Sequence, residues 1–224
     1  MRAMARPINA DAAVTRARIL DAALELFANR GFYGTSMRQI GAASGVTGSA
    51  LYHHFENKDA ILHAVVGELR ALADAQLQQV AQGMASQQVT SLVGLFRRVA
   101  TQLLALFELP LHRKMFQVVM TDGPRLRAEG VFNAEELVAA QRARVAGILG
   151  ALMEAGMVRK VDPGHAAMML MGPLLVYRQF YIVWGTPVAD RREREGFIKD
   201  YSETMARALS PDRDPLAPKS IHGY

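Results

Sequence analysis

Apolar residues recur along almost the whole chain at spacings of three and four positions, which is the period of an amphipathic α-helix. Strictly alternating runs rich in Val, Ile and Thr, which would indicate β-strands, are missing, and no segment repeats. The pattern therefore predicts an all-α protein. At 224 residues, of which 50% are hydrophobic, the chain can bury one large core or two smaller ones.

Four helices are predicted in the N-terminal part, at about 15–30, 36–45, 48–54 and 58–82. Ser36 and Gln39 fit a capping box at the start of the second helix, and Gly45 ends it. Thr47 and Asn57 are suitable N-caps for the third and fourth helices. The first three helices predict a small domain over residues 15–62, with the fourth continuing to about residue 82 as a linker.

A larger helical domain is predicted over residues 83–209, after a polar boundary segment. Its helices are expected at about 90–107, 111–121, 133–155, 163–184 and 190–209. Asn133 with Glu136 forms a second capping box, Asp162 caps the helix that begins with Pro163, and Gly156 is a predicted C-cap. Residues 1–14 are expected to form a flexible arm, and residues 210–224, with three prolines, a disordered tail.

Composition excludes several classes of site. The chain has no cysteine, so disulfides and thiolate metal sites are excluded, and a cytoplasmic location is expected. The start lacks the apolar stretch of a signal peptide, and the longest apolar run, 166–177, is too short to span a bilayer. The formal charge of +5 suits a polyanionic partner but decides little by itself.

The two short helices on either side of Gly45 and Val46 predict a helix-turn-helix. In this motif the second helix enters the major groove of DNA and presents its N-terminal residues to the base edges, while the first helix crosses the backbone. The third predicted helix has small and polar residues at its start, as this role requires. The sequence thus predicts a DNA-binding domain.

The segment TSMRQIGAASGVTGSALYHHFENK, residues 35–58, resembles the DNA-binding signature of the TetR family of repressors. The resemblance extends from the first helix to the start of the fourth and includes the turn at Gly31 and Phe32. Gly41 departs from it, since the family usually has alanine there. The resemblance implies a homodimer that binds a palindromic operator, with a C-terminal ligand-binding domain whose last two helices pair with those of the second subunit.

The resemblance also implies which residues face double-stranded DNA. The expected contacts are Arg38, Thr47, Gly48, Ser49, Tyr52, His53, His54 and Lys58. Arginine, hydroxyl, imidazole and ammonium groups can bind phosphates or base edges, and a glycine permits close approach. Alternatives remain open: Arg38 and Lys58 as solvated surface cations, Thr47 as a helix cap only, and His54 as a residue that packs on the first helix.

Methionine and aromatic residues are numerous in the C-terminal domain and suit either an adaptable apolar pocket or an ordinary core. The residues expected to line a ligand pocket are Phe96, Phe116, Met120, Met169 and Tyr177. Gly172 and Pro173 should free a backbone carbonyl and bend the fourth helix of this domain, either to make room for a ligand or as a structural kink only.

The sequence therefore predicts a cytoplasmic DNA-binding transcription regulator, a homodimeric repressor released by a small apolar or amphipathic ligand. In that account the ligand shifts the linker helix predicted over residues 58–82, and this movement changes the spacing of the two recognition helices of the dimer. The alternative is a DNA-binding dimer without a small-molecule ligand, which acts through a protein partner or by organising DNA. A second alternative is an enzyme or lipid carrier that keeps the motif as a scaffold. No catalytic motif, metal site, cofactor or membrane partner is predicted.

Overall fold

The computed structural model describes residues 8–85, 91–183 and 191–211. Within these ranges the chain forms nine α-helices and one π-helix, with no β-strand, which confirms the all-α prediction. The helices are α1 Ile8–Arg30, α2 Met37–Ser44, α3 Gly48–His54, α4 Lys58–Ala85, α5 Leu92–Glu108, α6 Pro110–Ala128, α7 Ala134–Glu154, α8 Pro163–Tyr177, the π-helix Arg178–Val183, and α9 Arg191–Leu209.

Local capping chemistry sets most of these ends. Asn57 Oδ1 accepts the N–H of Ala60 at 2.8 Å at the start of α4, and the Asp162 side chain accepts the N–H of His165 at 2.7 Å at the start of α8. Gly156 has φ +70° and ends α7. Its N–H bonds to the carbonyl of Met153, as expected for a glycine C-cap. The caps predicted at these three positions are therefore present.

Three helix ends differ from the sequence prediction. Helix α1 begins at Ile8, so residues 8–14 of the expected arm are helical; residues 1–7 lie outside the described part. Helix α6 does not stop near residue 121 but continues through Pro124 to Ala128, because Leu126 is completely buried and holds the last turn. The helix predicted over 163–184 is α-helical only to Tyr177 and continues as the π-helix. The predicted tail lies almost wholly outside the described residues.

One compact unit comprises, of the described residues, 8–77 and 106–135. It contains α1 to α3, most of α4, and α6, which packs on α1. Its core is formed by fully buried apolar side chains, among them Ile19, Leu24, Phe27, Phe32, Ile40, Leu51, Ile61, Leu62, Val65 and Leu126. The sequence predicts α6 as part of the larger domain, but the contacts of α6 group this helix with the predicted helix-turn-helix.

The second unit comprises, of the described residues, 78–85, 91–105, 136–183 and 191–211. Here the Tyr177 ring stacks on Phe197, with centroids 4.4 Å apart, and so joins α8 to α9. Tyr201 of α9 donates its O–H to the carbonyl of Leu170 on α8 at 2.8 Å. Burial raises the pKa of Tyr201, so the hydroxyl remains a donor.

Among the helices that the structure describes, none combines the length and the apolar character needed to cross a lipid bilayer.

Candidate nucleic-acid interface

Helix α2 is fixed at both ends. Ser36 Oγ accepts the N–H of Gln39 at 3.3 Å, and Gln39 Oε1 accepts the N–H of Ser36 at 2.7 Å, so the predicted capping box is present. The helix ends at Gly45, which has φ +66°. A side chain would be strained in this left-handed conformation, and a Cβ there would also lie only 2.8 Å from Nη2 of Arg18. Gly45 is therefore required for the turn.

Arg18 holds this turn from α1, because its guanidinium donates a hydrogen bond to the carbonyl of Ser44. That carbonyl lies at the C-terminus of α2, where helical partners are lacking and a cation is favourable. Ser44 Oγ is buried and donates to the carbonyl of Ile40 at 2.7 Å. Composition and spacing gave no signal for the role of Arg18, which depends on the packing of α1 against α2.

Helix α3 presents a polar start and packs its apolar residues inward. Thr47 Oγ1 accepts the N–H of Ala50 at 3.2 Å, which confirms Thr47 as the N-cap. Leu51 and Phe55 are buried, and the Arg16 guanidinium lies 5.3 Å from the centroid of the Phe55 ring. The residue that caps the C-terminus of α3 is thereby connected to α1, and the N-terminal residues of α3, Gly48 and Ser49, are exposed.

The structure places most of the predicted DNA contacts on the surface of these two helices. Tyr52 is 59% exposed. The other exposed members are Arg38, Thr47, Gly48, Ser49 and His53. His54 is half-buried, and its ring makes a T-shaped contact with that of His53. A Cβ at Gly48 would meet no other atom within 4 Å, so nothing in this chain requires glycine there. A surface that must approach another molecule closely would explain it.

Lys58 contacts the turn between α1 and α2. Its Nζ donates to the carbonyl of Phe32 at 2.8 Å and lies 4.5 Å from the centroid of the Phe32 ring. Burial lowers the pKa of Lys58. An ammonium group has three donors, so the bond to Phe32 leaves capacity for the predicted phosphate contact, which stays a prediction.

The five residues expected to bind a ligand are not brought together in one unit. Phe96 and Tyr177 are buried and Met169 is half-exposed, all in the second unit. Phe116 and Met120 belong to the unit that contains α2 and α3, and Met120 is 61% exposed. Among the described residues, no group of three or more His, Asp or Glu side chains is placed to hold a metal ion.

The geometry of α2 and α3 defines the class: an all-α protein with a capped helix-turn-helix near its N-terminus. Residues 19–65 match the family model described as bacterial regulatory proteins, tetR family. Over these 47 residues, about a fifth of its length, the chain is similar to the TetR family of regulators.

Curated relatives are similar in sequence to the N-terminal part of the chain only. The HTH-type transcriptional regulator UidR of Escherichia coli K12 is 35% identical over 74 residues, 33% of this chain and 38% of UidR. The chain thus matches well under half the length of this relative.

Solved structures extend the likeness in fold alone. NalD, the secondary repressor of the MexAB-OprM multidrug efflux pump in Pseudomonas aeruginosa, is similar with a TM-score of 0.65 and 24% identity, over 91% of this chain and 100% of NalD. AibR, solved in complex with isovaleryl coenzyme A and operator DNA, is similar with a TM-score of 0.59 and 22% identity, over 86% of this chain and 98% of AibR.

Proposed function

We propose that this chain is a homodimeric, sequence-specific repressor of transcription that binds a palindromic operator and is released by a small apolar or amphipathic ligand. The observation that supports DNA binding most strongly is the exposed polar start of α3 in a turn whose ends are held by Gly45, Arg18 and Thr47. This arrangement is the one that presents a recognition helix to the major groove.

The exposed residues of α2 and α3 divide into two kinds of contact. Tyr52 O–H and the hydroxyls of Thr47 and Ser49 suit phosphate oxygens, which position the protein on the duplex. The Arg38 guanidinium can bond a guanine edge or a phosphate, and the imidazole of His53 can bond either. Gly48 lets the backbone of α3 approach the groove.

Dimerisation is supported by an exposed apolar surface in the second unit, which we call the α8 face. It consists of Met169, Val176 and Phe180, with exposed fractions of 53%, 56% and 47%. The three lie on one side of α8 and its π-helical continuation, at intervals of seven and four residues. Contiguous exposed apolar surface marks an interaction site, and a second copy of the chain is the occupant we propose.

A small-molecule effector is supported by the composition of the C-terminal part and by AibR, whose structure contains an acyl coenzyme A. Phe96 and Tyr177 are the proposed ligand contacts in the second unit, and Phe116 and Met120 those in the first, whereas the exposed Met169 is assigned to the α8 face instead. Because the two sets belong to different units, substitutions should test them separately. A ligand releases the repressor only if it binds free protein more tightly than DNA-bound protein.

Fluorescence anisotropy tests the DNA-binding proposal with the full chain, using the duplex that flanks its own gene and a scrambled duplex at two salt concentrations. We expect at least a several-hundred-fold preference for the flanking duplex. Tyr52→Ala should weaken binding to it roughly 10- to 100-fold, because a hydrogen bond to a charged group is lost. Since Tyr52 is exposed, its truncation leaves the core intact.

Two variants serve as controls. Tyr52→Phe keeps the ring and removes the hydroxyl, so binding as weak as that of Tyr52→Ala assigns the effect to the hydroxyl. Val138→Ala removes an exposed side chain on α7 and should bind like the wild type. Equal affinity for both duplexes, or full binding by Tyr52→Ala, would count against recognition of this duplex through α3.

A further inference from the structure

The backbone of Phe32, in the turn between α1 and α2, is bonded at both its N–H and its carbonyl by charged side chains from other helices. Its N–H donates to Oδ2 of Asp122 on α6 at 2.6 Å, and its carbonyl accepts from Nζ of Lys58 on α4 at 2.8 Å. Its ring is 2% exposed. One buried residue thus connects α6, α4 and the entry to the helix-turn-helix; we call Asp122, Phe32 and Lys58 the turn clamp.

Further contacts from α6 surround the turn clamp. The guanidinium carbon of Arg125 lies 3.7 Å from the centroid of the Tyr33 ring, and Arg125 Nε pairs with Glu129 at 2.8 Å. About two turns of helix before Asp122, Lys114 Nζ lies 2.6 Å from the carboxylate of Glu25 on α1. Helix α6 is therefore attached by polar contacts of specific geometry in addition to its buried apolar residues Met115, Val118 and Leu126.

Asp122 lies at a weak point of α6. It immediately precedes Gly123 and Pro124, and the proline has no N–H to bond the carbonyl four residues earlier. On the other side of the contact, a Cβ at Gly31 would lie 3.0 Å from Oδ2 of Asp122, so the turn fits closely around the carboxylate. A small change in α6 at this point would move the group that holds the turn.

We infer that Asp122 is a positioning residue for DNA recognition, which fixes through the Phe32 peptide the angle at which α6 holds α2 and α3. In a dimer this angle limits the separation of the two recognition helices and hence the spacing of the half-sites, which must match the helical repeat of DNA. Lys58 has donors left for a phosphate and so connects the turn clamp to the DNA backbone. The inference rests on the proposed function.

The test is the dependence of affinity on half-site spacing. Duplexes selected by the wild type are prepared with the original spacing, with one or two base pairs inserted between the half-sites, and as a single half-site. Asp122→Ala should reduce the preference for the original spacing roughly tenfold, the factor that one hydrogen bond to a charged group contributes. Its affinity for the single half-site should stay within about twofold of the wild type, because the residues that contact DNA are unchanged.

Three further variants make the result specific. Asp122→Asn keeps an acceptor oxygen and should restore most of the spacing preference. Asp122→Glu keeps the charge but moves the carboxylate, and should weaken the preference. Arg127→Ala, also on α6 but paired with Glu135 away from the turn, should behave like the wild type. Circular dichroism and thermal unfolding establish that each variant is folded.

A folded Asp122→Ala that keeps the full spacing preference would overturn the inference. So would a loss of equal size on the single half-site and on the spaced sites, since that is the result of a general loss of stability. Should Asp122→Ala not fold, Asp122→Glu decides by the same criterion. Failure of the proposed function has a different signature: the wild type itself would show no preference among duplexes, and Tyr52→Ala would change nothing.

Discussion

Two glycines that lie three positions apart in the helix-turn-helix have different physical explanations. Gly45 is needed for folding, because its backbone is left-handed and Arg18 occupies the space a side chain would take. Gly48 has an ordinary helical conformation and open space around its Cα, so folding does not require it. At the scale of single residues, folding accounts for Gly45, and the proposed close approach to DNA accounts for Gly48.

Gly48→Ala should fold at least as well as the wild type, because alanine has the higher helix propensity. It should bind the operator about tenfold or more weakly, since an added methyl group in a close-packed contact typically costs about 1–3 kcal/mol. Anisotropy titration and thermal unfolding of the same preparation measure both quantities.

Gly67→Ala is the matched control, because Gly67 is an exposed helical glycine of α4 that also has nothing within 4 Å of an added Cβ. It should gain up to about 1 kcal/mol of stability and keep its DNA affinity. Wild-type operator binding by Gly48→Ala would refute the close approach of α3 to DNA.

At the scale of helices, sequence reasoning succeeded where the determining chemistry is local. The Ser36–Gln39 capping box, the Thr47 and Asn57 caps and the glycine that ends α2 all act within four residues, and the structure contains each of them. The length of α6 was predicted wrongly, because Gly123 and Pro124 are local signals for a helix end. The buried Leu126 outweighs them through tertiary packing.

The contact of α6 with α1 and its turn could not be predicted from the sequence. Asp122 accepts a hydrogen bond from a backbone N–H 90 positions away. Lys114 pairs with Asp21, 93 positions away, and with Glu25. Neither residue carries a motif that identifies its partner. The proposed DNA contacts could be named from the sequence because one short segment contains them, whereas the turn clamp exists only after α6 has packed on α1.

The ion pair between Lys114 and Glu25 predicts a pH dependence of stability. The hydrogen bond from Lys114 lowers the pKa of Glu25, so the ionised carboxylate is favoured in the folded protein. The stabilisation is therefore present above the pKa of an unfolded glutamate and is lost as the pH falls through the lowered folded value. Lys114→Met should reduce stability at pH 7 by at most about 1 kcal/mol, because Glu25 is half-exposed and screened by solvent.

Urea unfolding at pH 7 and at about pH 3 measures the effect, and the difference between the wild type and Lys114→Met should shrink at the lower pH. Lys160→Met is the control, because Lys160 and Glu154 form a highly exposed pair in the second unit. It should change stability little at either pH. A difference between the wild type and Lys114→Met that stays constant with pH would contradict the role given to this pair.

At the scale of the whole molecule, the account requires two copies of the chain, because a palindromic operator is matched by a protein with two-fold symmetry. The double substitution Val176→Glu with Phe180→Glu places charges on the α8 face and should convert the dimer to a monomer. Analytical ultracentrifugation measures the mass against that of one chain, 24.6 kDa.

Met157→Glu is the control, since Met157 is exposed to a similar degree, 48%, but follows α7 and lies outside the α8 face. It should remain dimeric. A wild type that sediments as a monomer, or a double variant that remains a dimer, would reject the α8 face as the subunit interface. The monomeric variant should also lose most of its operator affinity, because a single half-site provides half of the contacts.

The central claim is that two copies of this chain bind one specific DNA sequence with two-fold symmetry. Selection from a pool of random duplexes by the full chain tests this claim most directly. The account predicts that the recovered duplexes share an inverted repeat, with half-site centres one turn or a whole number of turns apart, and that the Tyr52→Ala chain recovers no such repeat. Recovered duplexes that match the starting pool, or share a motif without two-fold symmetry, would contradict it.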